Sequence, residues 1–261
     1  MNVLLPTEFL TRPIAHRALH DASDGRPENS RGAVNAALAH GYGIEIDVQL
    51  TSDGRAAVFH DHSLERMTGR EGLVRERSMP ELASISLGNS NETIPDLVEV
   101  LGLVAGRVPL LIEIKDRDGT LGPGVGPLEG AVARALAGYD GPAAVMSFNP
   151  HSVAAMQTLA PGVPRGLVTC AFRETEWPMS QARRTELAEI PDYGRVSAAF
   201  ISHDIRDLER PRVLELGQLG ASILCWTVRS AEEEHRARVV AANVTFEGYL
   251  PDFADRSQLR S

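Results

Sequence analysis

Glu45 and Asp47 lie two residues apart in "GIEIDVQL", and Glu113 and Lys115 lie two apart in "LLIEIK". Ile44, Ile46 and Val48 alternate with the first pair, and Ile112 and Ile114 with the second. In a strand, residues two apart share a face and sit roughly 6.5 Å from one another, so each run puts its ionisable side chains opposite an apolar face. Adjacent carboxylates repel, and a strand gains nothing from them unless something cationic compensates. Arg17 follows His16 in "AHR", and His60 precedes Asp61 in "FHD", each at the end of a short apolar run. Glu45, Asp47 and Glu113 carry three negative charges and Arg17 and Lys115 two positive ones, leaving a net −1. A divalent cation turns that into +1, which suits a singly charged phosphodiester. An all-oxygen ligand set favours a hard ion, Mg²⁺ or Ca²⁺, over Zn²⁺. Two histidines, which titrate near neutral pH, would then serve as general acid and general base about the phosphorus.

Each residue alone has a plainer reading. A strand-end histidine is more often hydrogen-bonded structure than catalyst. A Glu-x-Asp pair can meet arginines at a sheet edge, and Lys115 can be a solvated loop charge. What argues for chemistry is convergence, and that depends on the elements that carry these residues.

Short apolar runs recur along the chain: 13–17, the run holding Glu45 and Asp47, 109–115, 143–148, 165–170, 197–202, 222–228 and 243–249. "TSDGR" supplies an Asp-Gly turn, so "AAVFHD" (56–61) folds back as a hairpin arm. Helix signals fall between the runs. Ser30 and Gly41 bracket one helix, Pro127 and Pro211 open two more, and Ser230 with Glu233 makes a capping box. Leaving out the hairpin arm, eight strands alternate with helices, which predicts a parallel (β/α)8 TIM barrel, with an open doubly wound sheet as the alternative. Residues 62–95 interrupt the rhythm as a small insertion near the barrel mouth, and the Gly/Pro-rich 117–127 reads as a flexible active-site loop. In such a barrel the polar strand faces point inward, and near the strand C-termini they line the active site. His16, Arg17, Glu45, Asp47, His60, Asp61, Glu113 and Lys115 would therefore meet at one mouth. Trp226, ending the seventh run, reads equally as core or as a mouth residue packed on a ligand's glycerol. His20, His40, His62, His151 and His235 read as surface or loop residues.

Composition sets the outer bounds. The 261 residues, 43% hydrophobic and without a compositional break, suffice for one barrel-sized domain spanning 1–261. A net charge of −9 speaks against a nucleic-acid groove. Cys170 and Cys225 lie in apolar runs and read as reduced core thiols. "MNVLLPTEFLTRP" lacks the basic n-region of a signal peptide, and no apolar run approaches the ~20 residues that span a bilayer. No membrane insertion is expected, and the reading is cytoplasmic.

With these residues placed, "AHRALHDASDGRPENS", "GIEIDVQLTSDGRAAVFHD", "LERMTG", "IPDLVEVL" and "LLIEIK" resemble, in order and spacing, the successive motifs of the glycerophosphodiester phosphodiesterases. The likeness continues through "VMSF" and "CWTV", more loosely in the C-terminal half. It implies a TIM barrel with a small insertion after the second strand, a divalent metal, and hydrolysis of a glycerophosphodiester to glycerol 3-phosphate and an alcohol. By motif, His16 and His60 match the family's catalytic pair, Glu45, Asp47 and Glu113 its metal ligands, and Arg17 and Lys115 its phosphate-contacting cations. Glu28 and Asn29, in "PENS", match a pair at the mouth expected to orient neighbours or bind substrate. Two positions depart from the pattern. Ala18 stands where the family usually has Gly, and "FEGYLPD" replaces a Thr-Asp pair before Pro at the last strand.

Other readings are weighed against this one. "HDH" (60–62) with His203 imitates an amidohydrolase zinc site, but the fifth-strand ligand such a site needs has no counterpart in "LVTC". A relative cleaving lysophospholipids or sphingolipids on the same barrel, or a binding protein that has lost catalysis, would keep the fold. The preferred alcohol, the choice of Mg²⁺ or Ca²⁺, the division of labour between the histidines, cyclic intermediate against direct attack by water, and oligomeric state are left open by the residues.

Overall fold

The computed structural model describes residues 3–253. Eight parallel strands close into a barrel: β1 (Ile14–Ala15), β2 (Gly43–Leu50), β4 (Leu110–Ile114), β5 (Ala143–Ser147), β6 (Arg165–Thr169), β7 (Phe200–Asp204), β8 (Ser222–Val228) and β9 (Asn243–Phe246). The ring closes because β1 pairs with both β2 and β9. β3 (Ala56–Val58) lies antiparallel on β2, with Val48 opposite Val58, as the Asp-Gly turn requires. Gly54 sits in that turn at φ 77°, a left-handed conformation open to glycine. A TIM barrel is thus the observed fold, and the open doubly wound sheet is ruled out by the closure.

Helices follow seven of the eight barrel strands and cover the outside. They are Arg31–His40, Leu97–Val104, Pro127–Leu136, Pro150–Leu159, Gln181–Ala188, Pro211–Gln218 and Ala231–Ala237. Among the described residues none follows β9. Their boundaries answer to local chemistry. Ser30 Oγ accepts from the Ala33 N–H, and Gly41 ends the same helix at φ 75°. Pro127 and Pro211 occupy first turns, where a missing N–H costs nothing. At Ala231–Ala237 the Ser230 hydroxyl caps Glu233, but the Glu233 carboxylate reaches the Arg229 N–H instead of that of Ser230.

Two layers of core follow from strand alternation. Ile44, Ile46, Val48, Ile112 and Ile114 point outward to pack beneath the helices. Ile14, Leu111, Ala144, Met146, Val168, Phe200 and Leu224 point inward and fill the lower barrel, with Leu5 and Phe9 stopping its floor. Gly166 makes room for this packing, since a Cβ there would meet the Phe200 ring at 2.4 Å. Residues 62–95 form an insertion with a small core of their own, Leu64, Val74, Met79, Leu82, Ile85, Leu87 and Ile94 around Phe59.

Three strands differ from their sequence pattern, the 243–249 run by ending at Phe246. The 13–17 run shortens to Ile14–Ala15 because Arg17 and Ala18 adopt φ 51° and 63° and turn the chain. The 197–202 run is displaced to Phe200–Asp204, since Ser197 also sits at positive φ and ends the preceding loop. Both cysteines are buried and unpaired. No helix among the described residues is long and apolar enough to cross a membrane.

Candidate active site

β2 and β4 lie side by side in a register that sets Asp47 opposite Glu113. Their inward faces therefore bring Glu45, Asp47 and Glu113 together, with one carboxylate oxygen of each within 4.8 Å of the others. All three are buried. Among the described residues, these are the His, Cys, Asp and Glu groups close enough to share an ion. The amidohydrolase-like alternative has no such cluster: His203 is buried elsewhere, its Nδ1 2.7 Å from the Thr169 hydroxyl.

Lys115 continues the inward face of β4 and sets its Nζ 2.7 Å from Asp47 and 2.6 Å from Glu113. Asn29 Nδ2 donates to Asp47 at 2.9 Å, and the Asp47 N–H donates back to Asn29 Oδ1 at 3.2 Å. Burial alone would raise the Asp47 pKa, but Lys115, His60 and Arg17 outweigh it and hold the carboxyl far below its usual range. Glu45 fares differently. Burial first, then repulsion from Asp47 and Glu113, push it well above the ordinary value. One of its oxygens accepts the Arg17 N–H at 2.8 Å, while the other, Oε1, is buried without a hydrogen-bond partner. An orphaned carboxylate oxygen beside two further carboxylates fits an oxygen-seeking divalent cation.

The turn after β1 supplies the remaining groups. Left-handed backbone at Arg17 and Ala18 aims the Arg17 N–H at the Glu45 carboxylate and the Ala18 N–H at the Glu45 carbonyl, 2.8 Å away in both cases. The Arg17 guanidinium meets Glu28 at 2.8 Å and Asp47 at 3.7 Å, and its buried Nε has no hydrogen-bond partner. Glu28 also receives Arg66 at 2.7 Å, and Arg66 reaches on to Asp61 at 2.5 Å. Asp61 in turn lies 2.6 Å from His60 Nδ1. Burial would raise the Asp61 pKa, but hydrogen bonds from His60 and Arg66 dominate and keep it well below normal. A continuous chain thus runs Arg17–Glu28–Arg66–Asp61–His60.

His16 stands on the other side of the mouth. Its Nδ1 lies 2.6 Å from Glu247 Oε2, just beyond the end of β9. Burial pulls the His16 pKa down, against the hydrogen bond it donates to Glu247, which raises it. The hydrogen bond from His16, with the nearby Arg229 guanidinium, holds the Glu247 carboxyl far below its ordinary value. An ionised carboxylate only accepts, so the Nδ1 facing Glu247 carries a proton.

Trp226 shares the inward face of β8 with Leu224, so it lies in the upper barrel. Its indole N–H donates to the Ser202 carbonyl at 2.9 Å, and its ring packs on Phe148 at 5.6 Å. Phe172 and Trp177 complete an aromatic cluster there. Between residues 62–95 and the 117–127 loop lies a cavity of about 610 Å³, bordered by Lys115, His62, Arg75 and Arg117. The loop is tied at its base, where Asp116 accepts from the Leu121 N–H and from Asn149 Nδ2.

The structure thus gathers His16, Arg17, Glu28, Asn29, Glu45, Asp47, His60, Glu113 and Lys115 at one mouth. Glu28 and Asn29 face protein partners. Sequence reasoning passed over Arg66, Glu247 and His20, the last read as a surface residue but half-buried here, 3.7 Å from Glu247. The signal for Glu247 was present: Asn243, Thr245 and Glu247 alternate with the outward Val244 and Phe246 as the acids of β2 alternate with its isoleucines.

Comparison with known proteins agrees with this geometry. Residues 16–245 match the model of the glycerophosphoryl diester phosphodiesterase family. A glycerophosphodiester phosphodiesterase of Caldanaerobacter subterraneus subsp. tengcongensis is 34% identical over 238 residues, covering 87% of this chain and 89% of its own. One from Bacillus subtilis is 27% identical over 256 residues, covering 90% and 82%. Among solved structures, an Oleispira antarctica phosphodiesterase in complex with the product sn-glycerol-3-phosphate superposes with a TM-score of 0.74 at 24% identity, over 92% of this chain and 93% of that one. With its family motifs converging on one barrel mouth and a family match running through β9, the chain belongs to the glycerophosphoryl diester phosphodiesterase family.

Proposed function

We propose that this chain hydrolyses glycerophosphodiesters to glycerol 3-phosphate and an alcohol, with a divalent cation held by Glu45, Asp47 and Glu113. The observation that carries this reading is the site's composition: three buried carboxylates and two cations, flanked by two imidazoles that each lean on a separate carboxylate. A bound Mg²⁺ or Ca²⁺ would supply Lewis-acid stabilisation of charge on a phosphate oxygen.

The chain's own residues do the rest. Arg17, with Nε unspent, and Lys115 contact the phosphate oxygens and stabilise the charge that grows there in the transition state. Neutral His16 takes a proton on Nε2 from the nucleophile, which is either water or the glycerol 2-hydroxyl; in the second case water opens the resulting cyclic phosphate in a second step. His60, whose Nδ1 is 2.6 Å from the ionised Asp61, serves as the acid and protonates the departing alkoxide, a poor leaving group otherwise. Glu28 and Asn29 orient Arg17 and Asp47. The glycerol lies toward Trp226, and the alcohol extends toward the 610 Å³ cavity. The whole site belongs to one barrel domain with 62–95 as its insertion. Two buried thiols and a net charge of −9 fit a reducing, cytoplasmic setting.

The test is release of glycerol 3-phosphate from glycerophosphocholine by protein treated with EDTA and then given back Mg²⁺ or Ca²⁺. Release that stops with EDTA and returns with the metal is expected. No release with either ion, together with turnover of lysophosphatidylcholine, would move the substrate class to lipids.

A further inference from the structure

Glu247 is anchored from several sides. It projects from the end of β9 on the inward face, after Asn243 and Thr245. Its Oε2 lies 2.6 Å from His16 Nδ1, and its Oε1 lies 2.7 Å from an Arg229 guanidinium nitrogen. The His20 Nε2, buried and without a hydrogen-bond partner, approaches the same Oε2 at 3.7 Å. The backbone fixes both ends of the pair: the His16 N–H donates to the Phe246 carbonyl at 2.9 Å, and the Glu247 N–H to the Val228 carbonyl at 3.0 Å. The contact therefore sits where the first and last strands close the barrel, between partners 231 positions apart in the chain.

We propose that Glu247 is a positioning residue for His16: its carboxylate accepts the Nδ1–H, selects that tautomer and turns Nε2 toward the reacting phosphodiester, while Arg229 holds the carboxylate in place. An ionised carboxylate only accepts, so the nitrogen facing it must carry the proton, and the ring's other nitrogen is left free to take one. The same logic gives a buried carboxylate its orienting role in hydrolytic triads, on an unrelated scaffold. The Glu247 side chain is longer by one methylene than an aspartate, and it spans the gap from β9 to the ring without displacing either strand.

This inference rests on His16 being the general base. The charged groups facing His16 are Glu247 and Asp47, which favour its imidazolium, and Arg17, which opposes it. Arg229 acts through Glu247, which His20 approaches at 3.7 Å. Removing the Glu247 charge while leaving the others therefore lets His16 lose its proton at lower pH.

The experiment measures kcat and KM for glycerophosphocholine from pH 5 to 9 with saturating Mg²⁺, in wild type, Glu247→Gln, Glu247→Asp, His16→Gln and the His16→Gln/Glu247→Gln double variant. For Glu247→Gln, kcat is expected to fall about 10–100-fold, the usual loss when an orienting partner of a functional histidine is removed. KM should change less than about threefold, the acidic limb of kcat/KM should move to lower pH, and the double variant should lose little beyond His16→Gln alone. Glu247→Asp, which keeps the charge but draws it back, should fall between wild type and Glu247→Gln. It carries the test by itself should Glu247→Gln not fold. Wild-type kcat and an unmoved limb in both Glu247 variants, with His16→Gln inactive, would overturn the role of Glu247 alone. A fully active His16→Gln would overturn the reading beneath it.

Discussion

Glu45 is squeezed between Asp47 and Glu113, and its buried Oε1 finds no donor. Its raised pKa has a consequence for stability. A carboxyl that titrates higher in the folded than in the unfolded chain stabilises the fold below its unfolded pKa and loses that contribution as pH rises toward the folded one. Metal-free protein should therefore melt progressively lower than metal-free Glu45→Gln as pH is raised from 5 to 8. Loaded wild type should escape this penalty, whereas Glu45→Gln should bind the ion at least about 10-fold more weakly. Melting curves with and without EDTA across that range check both statements, and parallel curves for the two proteins would refute the first. Ala18 presents a second residue-scale trade. Its left-handed backbone costs an L-residue about 1–2 kcal/mol, yet its buried methyl contributes about 0.8 kcal/mol to the helix-side core. Ala18→Gly should accordingly shift the melting temperature by no more than about 4 °C and leave kcat unchanged, as thermal melts and steady-state assays would show.

At the scale of elements, the β2–β4 register and the network around Arg66 set the geometry. Arg66 belongs to the short helix Glu65–Thr68 of the insertion, yet it bridges Glu28 beside β1 to Asp61 beside β3. Replacing it with Gln should leave metal binding intact and lower kcat about 10-fold, because His60 and Arg17 then lose a shared brace. A kcat within twofold of wild type would assign Arg66 to the surface. Much of this arrangement was legible in the sequence. Period-two alternation placed Glu45, Asp47, Glu113 and Lys115 on inward faces, and turn chemistry placed the hairpin that carries His60. Local patterns could not show that β1 stops after Ala15, since that depends on positive-φ residues pulled toward the Glu45 backbone and carboxylate. Nor could they pair His16 with Glu247 or His60's neighbour with Arg66, because those contacts exist only once the barrel closes and the insertion folds back.

For the whole molecule, a net charge of −9 sits uneasily with an anionic substrate, and the mouth resolves the conflict locally. On the proposed reading, Arg17 and Lys115, with a divalent cation on the three carboxylates, would concentrate positive charge where the phosphodiester binds. Phe148, Phe172, Trp177 and Trp226 pack on one another as an aromatic cluster near the same end of the barrel. The chemistry of the two imidazoles is tested most directly by varying the leaving group. Wild type, His16→Asn and His60→Asn would be assayed with glycerophosphocholine and with the p-nitrophenyl ester of glycerol 3-phosphate, whose alcohol departs as an anion without help. His60→Asn should lose about 10²–10⁴-fold on the choline ester and far less on the p-nitrophenyl ester, while His16→Asn should lose heavily on both. Equal losses on the two substrates for His60→Asn, or full activity on glycerophosphocholine, would contradict the assignment of His60 as the acid.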